Sequence, residues 1–390
     1  MLICLGVLAP PGTTLAAGLD RAVQHLDHQL ARLQQDPNMV GLGVCAGTSA
    51  GVVYQRFQGP KQVGGSELVE PDTRFRVASL SKGFAATLAL MLSGEQAVQL
   101  SEPVTRHVDY FQLKQPEQSA QVQLQHLLSH QVGLPHYAYD KLLEANWTPE
   151  NIIRRLNRVD MTCPVGTCYG YQNTAYNMVT QVIEGVTGST FEQQVDSRVF
   201  EPLGMTDTGF GREHLVQDDN WARPHSGRYH RLRPVEVKNQ YYQLPASAGV
   251  NASAADMCRW LTGQLGGRPE VLSEELLEMS RAPRVETRRE LFRGRWRRAR
   301  VKAAHYGMGW RVYDYAGEPM VFHAGSVQGY GATIALLPER DVGLMALWNS
   351  ETSRPWSIVP TFVDAYLGLK PVDWMKLDEL EAETSRHSGD

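Results

Sequence analysis

The sequence predicts an α+β protein in which two strand-rich ends enclose a helix-rich middle. Short stretches with the composition of β-strands occur near both ends, at residues 39–47, 51–57, 308–313, 319–323, 332–337 and 343–348. The middle of the chain, residues 100–220, contains apolar helical stretches separated by turns. Both ends are therefore expected to build one lobe that contains the sheet, with a helical lobe inserted into it.

We expect the α/β lobe to comprise residues 19–78 and 240–368, and the mainly helical lobe to comprise residues 79–239. Residues 1–18 are apolar and end in small residues, as in the remnant of a secretory signal. A bacterial periplasmic or secreted protein is therefore expected, with a cytoplasmic one as the alternative because no Lys or Arg precedes the apolar run. Residues 369–390 are expected to form a polar tail.

Composition narrows the classes of partner. The 390 residues are 42% hydrophobic and 21% charged, which is ordinary for a globular protein, and the net charge of −4 argues against a nucleic-acid partner. The longest apolar stretches, 84–92 and 332–348, are too short or too interrupted for an integral membrane segment. We expect a small-molecule or peptide substrate, and the oligomeric state stays open.

The strongest chemical signal is a Ser-x-x-Lys pattern formed by Ser79 and Lys82. A short strand-like stretch precedes it and the apolar run 84–92 follows, which predicts a buried helix that begins near Ser79. This spacing places both side chains on one helix face. A serine hydroxyl needs a base to become a nucleophile, and a lysine is a base only where burial or positive charge lowers its pKa.

Two further stretches add groups suited to acyl transfer. Tyr171 and Asn173 lie two residues apart before an apolar helix, so their side chains point the same way in an extended loop. A lysine nearby would favour the phenolate of the tyrosine, and the asparagine offers a donor and an acceptor to a substrate amide. His323 ends a strand and precedes Gly325 and Ser326; the glycine would let a substrate backbone approach.

Other patterns have simpler structural explanations. Residues 47–51 match Gly-x-Ser-x-Gly, but β-rich residues follow where a nucleophile elbow needs a helix, so we interpret the match as a hairpin turn. His126 and His130 are spaced by four residues but lack the glutamate of zinc proteases, which favours a packed helix without metal.

Cys163 and Cys168 enclose a turn-forming segment and are a possible disulfide, with two reduced thiols as the alternative. The arginine-rich stretch 284–302 is expected to be a solvated edge hairpin, with a rim for an anionic substrate or a membrane surface as the alternative.

Together these motifs resemble the serine β-lactamase and penicillin-binding protein superfamily, in its class C β-lactamase-like branch with D,D-peptidases, D-aminopeptidases and family VIII esterases. Supporting stretches at residues 125–135, 200–208, 248–257 and 306–310 are similar to segments of that family. The resemblance covers about residues 20–368 and implies a β-lactamase/transpeptidase-like fold, an antiparallel sheet flanked by helices.

The resemblance implies a serine hydrolase that works through a covalent acyl-enzyme and needs no cofactor or metal. Ser79 would be the nucleophile, Lys82 and Tyr171 one coupled acid and base, and the N–H groups of Ser79 and Ser326 the oxyanion hole. Asn173 would orient the acyl group, and His323 would position Tyr171 or the leaving group. Gly325 and Tyr137 are further candidates on the substrate-binding side.

The resemblance is less specific for the substrate. True class C β-lactamases carry Lys-Thr-Gly where this chain has His323, Ala324 and Gly325, so a fixed positive charge for a substrate carboxylate is lost. We expect amide substrates, either β-lactams or D-amino-acid peptides. A carboxylesterase with the same residues and a penicillin-binding sensor that acylates without turnover are the alternatives.

Overall fold

Residues 11–227 and 231–387 are described by the structure, which is a computed structural model of the chain. The first ten residues of the expected signal remnant lie outside this part. Residues 11–18 of the expected signal remnant belong to the first helix. No helix in the described ranges combines the length and apolar character that a membrane crossing requires.

The helices are α1 Pro11–Leu33, α2 Ser81–Gly94, α3 Pro116–Ser119, α4 Leu124–Leu128, α5 Asp140–Glu144, α6 Pro149–Arg155, α7 Asn173–Asn177, α8 Val179–Thr187, α9 Phe191–Val195, α10 Glu201–Leu203, α11 Gly211–Leu215, α12 Pro245–Ala248, α13 Ala254–Thr262, α14 Glu274–Arg281, α15 Gly294–Arg300, α16 Ile358–Leu367 and α17 Leu377–His387. The strands are β1 Leu42–Thr48, β2 Gly51–Gln58, β3 Arg74–Arg76, β4 Gly209–Phe210, β5 His225–Ser226, β6 Arg233–Pro234, β7 Val250–Ser253, β8 Val285–Glu286, β9 Val301–Tyr306, β10 Arg311–Tyr315, β11 Glu318–Val327, β12 Tyr330–Leu337 and β13 Val342–Trp348.

The centre of the fold is an eight-stranded sheet in the order β2-β1-β13-β12-β11-β10-β9-β8. Each neighbouring pair is antiparallel, and strands from both ends of the sequence meet where β1 pairs with β13. β12 and β13 are buried along their whole length, which fits their continuous apolar sequences. The expected α+β class with an antiparallel sheet and helices is confirmed.

The chain divides into two compact units, residues 1–36 with 353–390, and residues 37–352. In the first unit α1 packs against α16, and Arg21 donates to the carbonyl of Ala365 at 2.7 Å. The segment expected to be a polar tail contains α17, which Arg32 joins through ion pairs to Asp378 and Glu381. The second unit contains the sheets and every candidate site residue. The lobe boundaries expected from the sequence stay a prediction.

The Gly-x-Ser-x-Gly match forms the tight turn between β1 and β2, as expected for a hairpin. Gly51 has a φ of 140°, a backbone conformation that other residues rarely adopt. Ser49 is tied to a carboxylate, because its backbone N–H and its hydroxyl each bond Asp341 at 2.7 Å. A strand follows the serine, so this turn lacks the helix of a nucleophile elbow.

The helix after Ser79 is buried on nearly all sides, as its apolar sequence predicts. Phe84 packs against Trp260 and Phe200, with ring centroids 4.4 and 5.2 Å apart. Helix α2 also contacts α8, α9, α12 and α14, so it lies at the centre of the helical part of this unit. Burial of this extent fixes the helix start, and with it the position of the candidate nucleophile.

The expected edge hairpin over 284–302 is wrong in part. The stretch does lie at the sheet edge, where β8 is the outermost strand, but most of it is helical: a 3₁₀ turn at Arg288–Phe292 leads into α15. Trp296 is buried and its ring packs on Tyr313, Tyr315 and Phe322. One buried tryptophan on one side of a basic segment suits a helix better than a two-sided solvated hairpin.

The described part of the chain contains two disulfides. Cys163 and Cys168 close a small loop, and Cys45 on β1 is joined to Cys258 on α13 across 213 residues of sequence. The disulfide between Cys45 and Cys258 links the central sheet to α13, a helix that packs on the sheet. Sequence spacing gave no indication of this long-range pair.

Candidate active site

The candidate nucleophile lies in a strained turn between β3 and α2. A 3₁₀ turn, Ala78–Leu80, precedes the helix, and Ala78 has a φ of 48°, which is unfavourable for a residue with a Cβ. Ser79 is partly exposed, whereas Ala78 and Leu80 are buried. Ser81 supports the turn because its hydroxyl donates to the carbonyl of Ala78 at 2.7 Å. The turn therefore presents the Ser79 hydroxyl outward from a rigid base, a common use of backbone strain at functional sites.

Lys82 is fully buried directly below this serine. Its Nζ lies 3.4 Å from Ser79 Oγ and donates to Asn173 Oδ1 at 2.8 Å and to the carbonyl of Ser247 at 3.0 Å. Burial lowers the pKa of Lys82 well below its usual value, the carboxylate of Asp140 opposes this, and the guanidinium of Arg311 lowers the pKa further. Loss of the proton, which gives the neutral amine, is therefore easier for Lys82 than for an exposed lysine.

The three contacts of Lys82 suit a neutral amine that acts as a base. An ammonium could donate to all three oxygens, but the lowered pKa of Lys82 favours the neutral amine, which has two N–H bonds and one lone pair. The two shorter contacts end on carbonyl oxygens, which only accept, so they take both N–H groups. The lone pair then faces the longer contact, the hydroxyl of Ser79. This arrangement is prepared to remove the serine proton.

Both polar atoms of the Asn173 amide are hydrogen-bonded to buried side chains. Its Oδ1 accepts from Lys82, and its Nδ2 donates to Asp140 Oδ2 at 2.7 Å. The carboxylate fixes which way the amide points, because only the nitrogen end can donate to it. The geometry therefore assigns Asn173 to the orientation of Lys82, whereas the sequence suggested the orientation of the acyl group.

Tyr171 completes the group around Ser79. Its hydroxyl is hydrogen-bonded to Ser79, and Lys82 Nζ lies 4.7 Å from the centre of its ring. Burial raises the pKa of Tyr171, and the hydrogen bond between Tyr171 and Ser79 and the charge of Arg311 only partly offset this. The expected lysine-stabilised phenolate is therefore not the favoured form here. Burial favours a neutral tyrosine beside a neutral lysine, which leaves the tyrosine as a proton donor.

His323 lies at the same site but does not hydrogen-bond Tyr171. Its Nδ1 is 3.1 Å from the carbonyl of Ala324, which fixes the proton on Nδ1, so Nε2 accepts from the Tyr306 hydroxyl at 3.1 Å. Tyr306 and Tyr171 pack in one buried cluster with Val285. Burial lowers the pKa of His323 well below its usual value, and Arg311 and Lys82 lower it further. The histidine is thus neutral and reaches Tyr171 only through Tyr306.

Gly325 brings the strand β11 against the nucleophile turn. A Cβ at this position would lie 2.3 Å from the carbonyl oxygen of Val77 and 2.9 Å from the backbone nitrogen of Ser79. The glycine is therefore required for contact with the protein's own backbone, and the approach of a substrate that the sequence suggested stays a prediction.

The end of β11 has one open side. On one side of β11, pairing with β10 ends at Arg311↔Phe322. On the other side, pairing with β12 continues as far as Val327↔Tyr330. Backbone N–H groups alternate between the two sides of an antiparallel strand, and residues next to a two-residue turn bond each other. The N–H of Ser326 consequently points to the open side, and the preceding residue, Gly325, lies against the backbone nitrogen of Ser79. Two such donors suit a developing oxyanion.

Tyr137 stands at the margin of this group. Its backbone N–H donates to the carbonyl of Tyr171 at 2.8 Å, and the two rings have centroids 5.4 Å apart. Its side chain is 45% exposed, so it is available to a bound molecule. Tyr137 and Tyr169 line a cleft of about 920 Å³ that adjoins the site; Ser79 and Lys82 do not line it.

Four residues of the site were not found from the sequence. Asp140 and Ser247 contact Asn173 and Lys82, Tyr306 contacts His323, and Arg311 lies over the rings of Tyr171 and Tyr306 at 5.6 and 5.8 Å. Ser247 acts through its backbone carbonyl, which no residue type reveals. Arg311 is one of many arginines, and only its burial beside Glu290 distinguishes it.

The two histidines spaced by four residues do not share a helix face. His126 lies in α4 and its Nδ1 accepts from the backbone of Gln123, whereas His130 follows the helix with a φ of 58° and accepts from the backbone of Gln172. In the ranges that the structure describes, no cluster of three or more His, Cys, Asp or Glu side chains is arranged to hold a metal ion.

Comparison with known proteins agrees with this fold and site. The Beta-lactamase family model matches residues 19–365. The chain belongs to the Beta-lactamase family. Members of this family are serine hydrolases, and the resemblance inferred from the three motifs is confirmed at the level of the superfamily.

The relatives of this Beta-lactamase family chain are distant. It is 25% identical over 338 residues to the Unguisins hydrolase ungD' of Aspergillus campestris, and 23% identical over 333 residues to Protein flp of Staphylococcus aureus (strain COL). The alignments cover 81% and 84% of this chain but 61% and 63% of those relatives. The chain thus spans less than two thirds of the length of the curated relatives that it matches.

Solved structures give the same fold. The octameric penicillin-binding protein homologue from Pyrococcus abyssi aligns with a TM-score of 0.78 at 25% identity, over 90% of this chain and 78% of that chain. The D-stereospecific amidohydrolase from Streptomyces sp. aligns with a TM-score of 0.67 at 18% identity, over 89% of this chain and 98% of that chain. The expected β-lactamase/transpeptidase-like fold is confirmed.

Proposed function

We propose that the protein hydrolyses amide bonds through a covalent acyl-enzyme on Ser79. The observation that carries this proposal is the set of contacts around Lys82, which engages both N–H groups of a neutral amine and leaves its lone pair for the Ser79 hydroxyl. A serine with a base in place is an activated nucleophile.

Acylation follows from the positions of three side chains. Ser79 Oγ bonds the substrate carbonyl carbon while its proton moves to Lys82 Nζ. The resulting oxyanion is held by the N–H groups of Ser79 and Ser326. The bond from carbon to nitrogen then breaks, and the leaving nitrogen takes the proton of Tyr171. Lys82 returns its proton to Tyr171, so both residues end neutral.

Deacylation reverses these roles. A water molecule loses its proton to Tyr171 and Lys82, acting as one unit, while its oxygen bonds the ester carbon. The bond from carbon to Ser79 Oγ breaks and the serine regains its proton. No cofactor enters this sequence of steps.

Two observations favour amides over esters. An amine leaves only when it is protonated, and the buried Tyr171 keeps its proton beside Ser79. The names of two similar proteins, an Unguisins hydrolase and a D-stereospecific amidohydrolase, are also those of hydrolases, and the second name states an amide substrate. Within amides, the choice between β-lactams and D-amino-acid peptides is part of the proposal, and a carboxylesterase with the same residues is the second candidate.

Three assays in parallel test the proposal. Wild-type protein and the Ser79→Ala variant are incubated with nitrocefin, with a D-alanine p-nitroanilide and with p-nitrophenyl butyrate. We expect turnover of at least one amide by the wild type and none by the variant. Turnover of the ester alone would indicate a carboxylesterase. A burst equal to the protein concentration without steady turnover would indicate a sensor, and full activity of the variant would exclude Ser79 as the nucleophile.

We also propose an exported, oxidising location. The two disulfides support it, because such bonds persist outside the reducing cytoplasm. Thiol titration of protein purified from its native host without reductant tests this: Cys45, Cys258, Cys163 and Cys168 should give no titratable thiol after unfolding, and four such thiols would contradict the proposal.

A further inference from the structure

A large cleft opens beside the candidate proton donor. It has a volume of about 920 Å³, within the range typical of ligand sites. One wall contains His136, Tyr137 and Tyr169, and the wall is joined to Tyr171 because the backbone N–H of Tyr171 donates to His136 Nδ1 at 3.1 Å. A molecule that occupied this cleft would lie next to the reacting groups.

The opposite wall of the cleft is basic. Arg288, Arg289 and Arg293 line it, and they belong to a stretch, 284–302, that contains nine Lys or Arg side chains and two Glu. This is notable in a chain whose net charge is −4. Three arginines thus line this cleft in a chain that is negative overall.

Two glutamates, Glu286 and Glu290, also line the cleft but do not neutralise all three arginines. Arg288 is paired with both carboxylate oxygens of Glu286 at 2.9 Å. Glu290 is shared by Arg293, Arg297 and Arg311, at 3.0, 3.6 and 3.1 Å. Within residues 11–227 and 231–387, no carboxylate forms an ion pair with Arg289. At least one full positive charge at the cleft is therefore available to a ligand.

The basic wall also reaches the tyrosine wall. Arg293 is hydrogen-bonded to the Tyr137 hydroxyl. Burial lowers the pKa of His136 on the opposite wall, and the charges of Arg289 and Arg293 lower it further. Both arginines are thus close enough to act on the interior of the cleft, where an anion would be held between the walls.

The third motif offers no alternative cation. His323 is neutral and both of its ring nitrogens are engaged, by Ala324 and Tyr306. We propose that Arg289 and Arg293 bind a carboxylate of the substrate, so that the enzyme selects acyl compounds with an anionic group remote from the scissile carbonyl. This inference rests on the proposed function and names the substrate class of the same site.

The test uses substrates that differ in one charge. A series of p-nitrophenyl monoesters of succinic, glutaric, adipic, suberic and sebacic acid carries a free carboxylate at increasing distance, and the corresponding methyl esters are the neutral partners. The ratio of kcat/KM for the anionic and neutral member is measured at each length. We expect a ratio of roughly ten or more at one or more lengths, as one charged hydrogen bond provides. Screening should reduce the ratio between about 0.05 and about 0.5 M NaCl.

The variant Arg289→Gln and the double variant with Arg293→Gln identify the groups responsible. We expect the ratio to fall roughly tenfold. The matched control is Arg298→Gln, an exposed arginine of the same stretch that does not line the cleft and should keep the wild-type ratio. Thermal unfolding of each variant confirms that the fold is retained.

Each outcome decides between the two proposals. A wild-type ratio near one at every length, with activity that Ser79→Ala abolishes, would overturn this inference and leave Ser79 as the nucleophile of the proposed function. If no ester of the series reacts, the amide assays described above still decide the proposed function. Calorimetric titration with suberate then tests the arginines: binding that the double variant loses supports their role, and no binding overturns it. An unchanged ratio in the variants, together with lost binding to phosphatidylglycerol vesicles, would assign the arginines to a membrane surface and contradict the proposal.

Discussion

Tyr171→Phe removes the candidate proton donor and little else. The phenylalanine keeps the ring that packs beside Lys82 and His130, whose ring centroid lies 4.2 Å from that of Tyr171. Only the hydroxyl that bonds Ser79 is lost. The effect on activity should then depend on whether the leaving group needs a proton.

The structure allows the two contributions to be separated by size. Loss of one neutral hydrogen bond to Ser79 costs about 0.5–1.5 kcal/mol, which corresponds to a decrease in rate of about twofold to about thirteenfold. Loss of a positioned general acid costs on the order of 10²–10⁴ in rate. An amine leaving group should show both losses, and p-nitrophenolate, which leaves without a proton, should show only the first.

A p-nitrophenyl ester and a p-nitroanilide of the same acyl group provide the assay. Single-turnover acylation is measured for wild type, Tyr171→Phe and the control Tyr110→Phe, which removes a phenol hydroxyl that bonds Gln181 elsewhere in the same unit. We expect the anilide to lose about 10²-fold or more beyond the ester. Equal losses on both substrates would refute the assignment of Tyr171 as the proton donor and leave it a positioning role.

Three further predictions concern charge and stability. Because burial lowers the pKa of Lys82, kcat/KM should rise with pH through an acid limb well below the usual lysine pKa of about 10.4; a limb at the usual value would contradict a neutral lysine base. Asp140→Asn removes a carboxylate that favours protonated Lys82, so a pH profile should show that limb at lower pH, and a shift to higher pH would count against the assignment. Replacing Cys45 and Cys258 with Ala should lower the free energy of unfolding by about 5 kcal/mol, and replacing Cys163 and Cys168 should lower it by about 2 kcal/mol. The difference arises because the first pair closes a loop of 213 residues and the second a loop of 5. Equal losses in denaturant titrations would contradict this estimate.

The sequence was informative where chemistry and local order coincide. Ser79 and Lys82 share a helix start, and the apolar residues after them force that helix into the core, so their proximity could be predicted. Tyr171 and Asn173 lie beside Ser79 and Lys82, and this proximity was predicted from the order of the three motifs in a known superfamily. The antiparallel sheet followed from the β-rich stretches at both ends.

The remaining features depend on contacts between distant parts of the chain. Ser247 bonds Lys82 through a backbone carbonyl across 165 residues, and Asp140 bonds Asn173 from a short helix with no motif of its own. The roles of Asn173 and Gly325 could not be predicted because they depend on which neighbours fill the space around them. The cleft likewise joins segments near 136 and 289 that only the fold brings together.

The central claim is a covalent acyl-enzyme on Ser79. The most direct measurement is intact mass after rapid acid quench during turnover of the best p-nitroanilide or ester, followed by peptide mapping. We expect a mass increase equal to the acyl group, located on the peptide that contains Ser79 and absent from Ser79→Ala. Two results would contradict a covalent intermediate on Ser79. One is unmodified protein at saturating substrate although release of the phenol or aniline shows a burst. The other is an adduct that persists in Ser79→Ala.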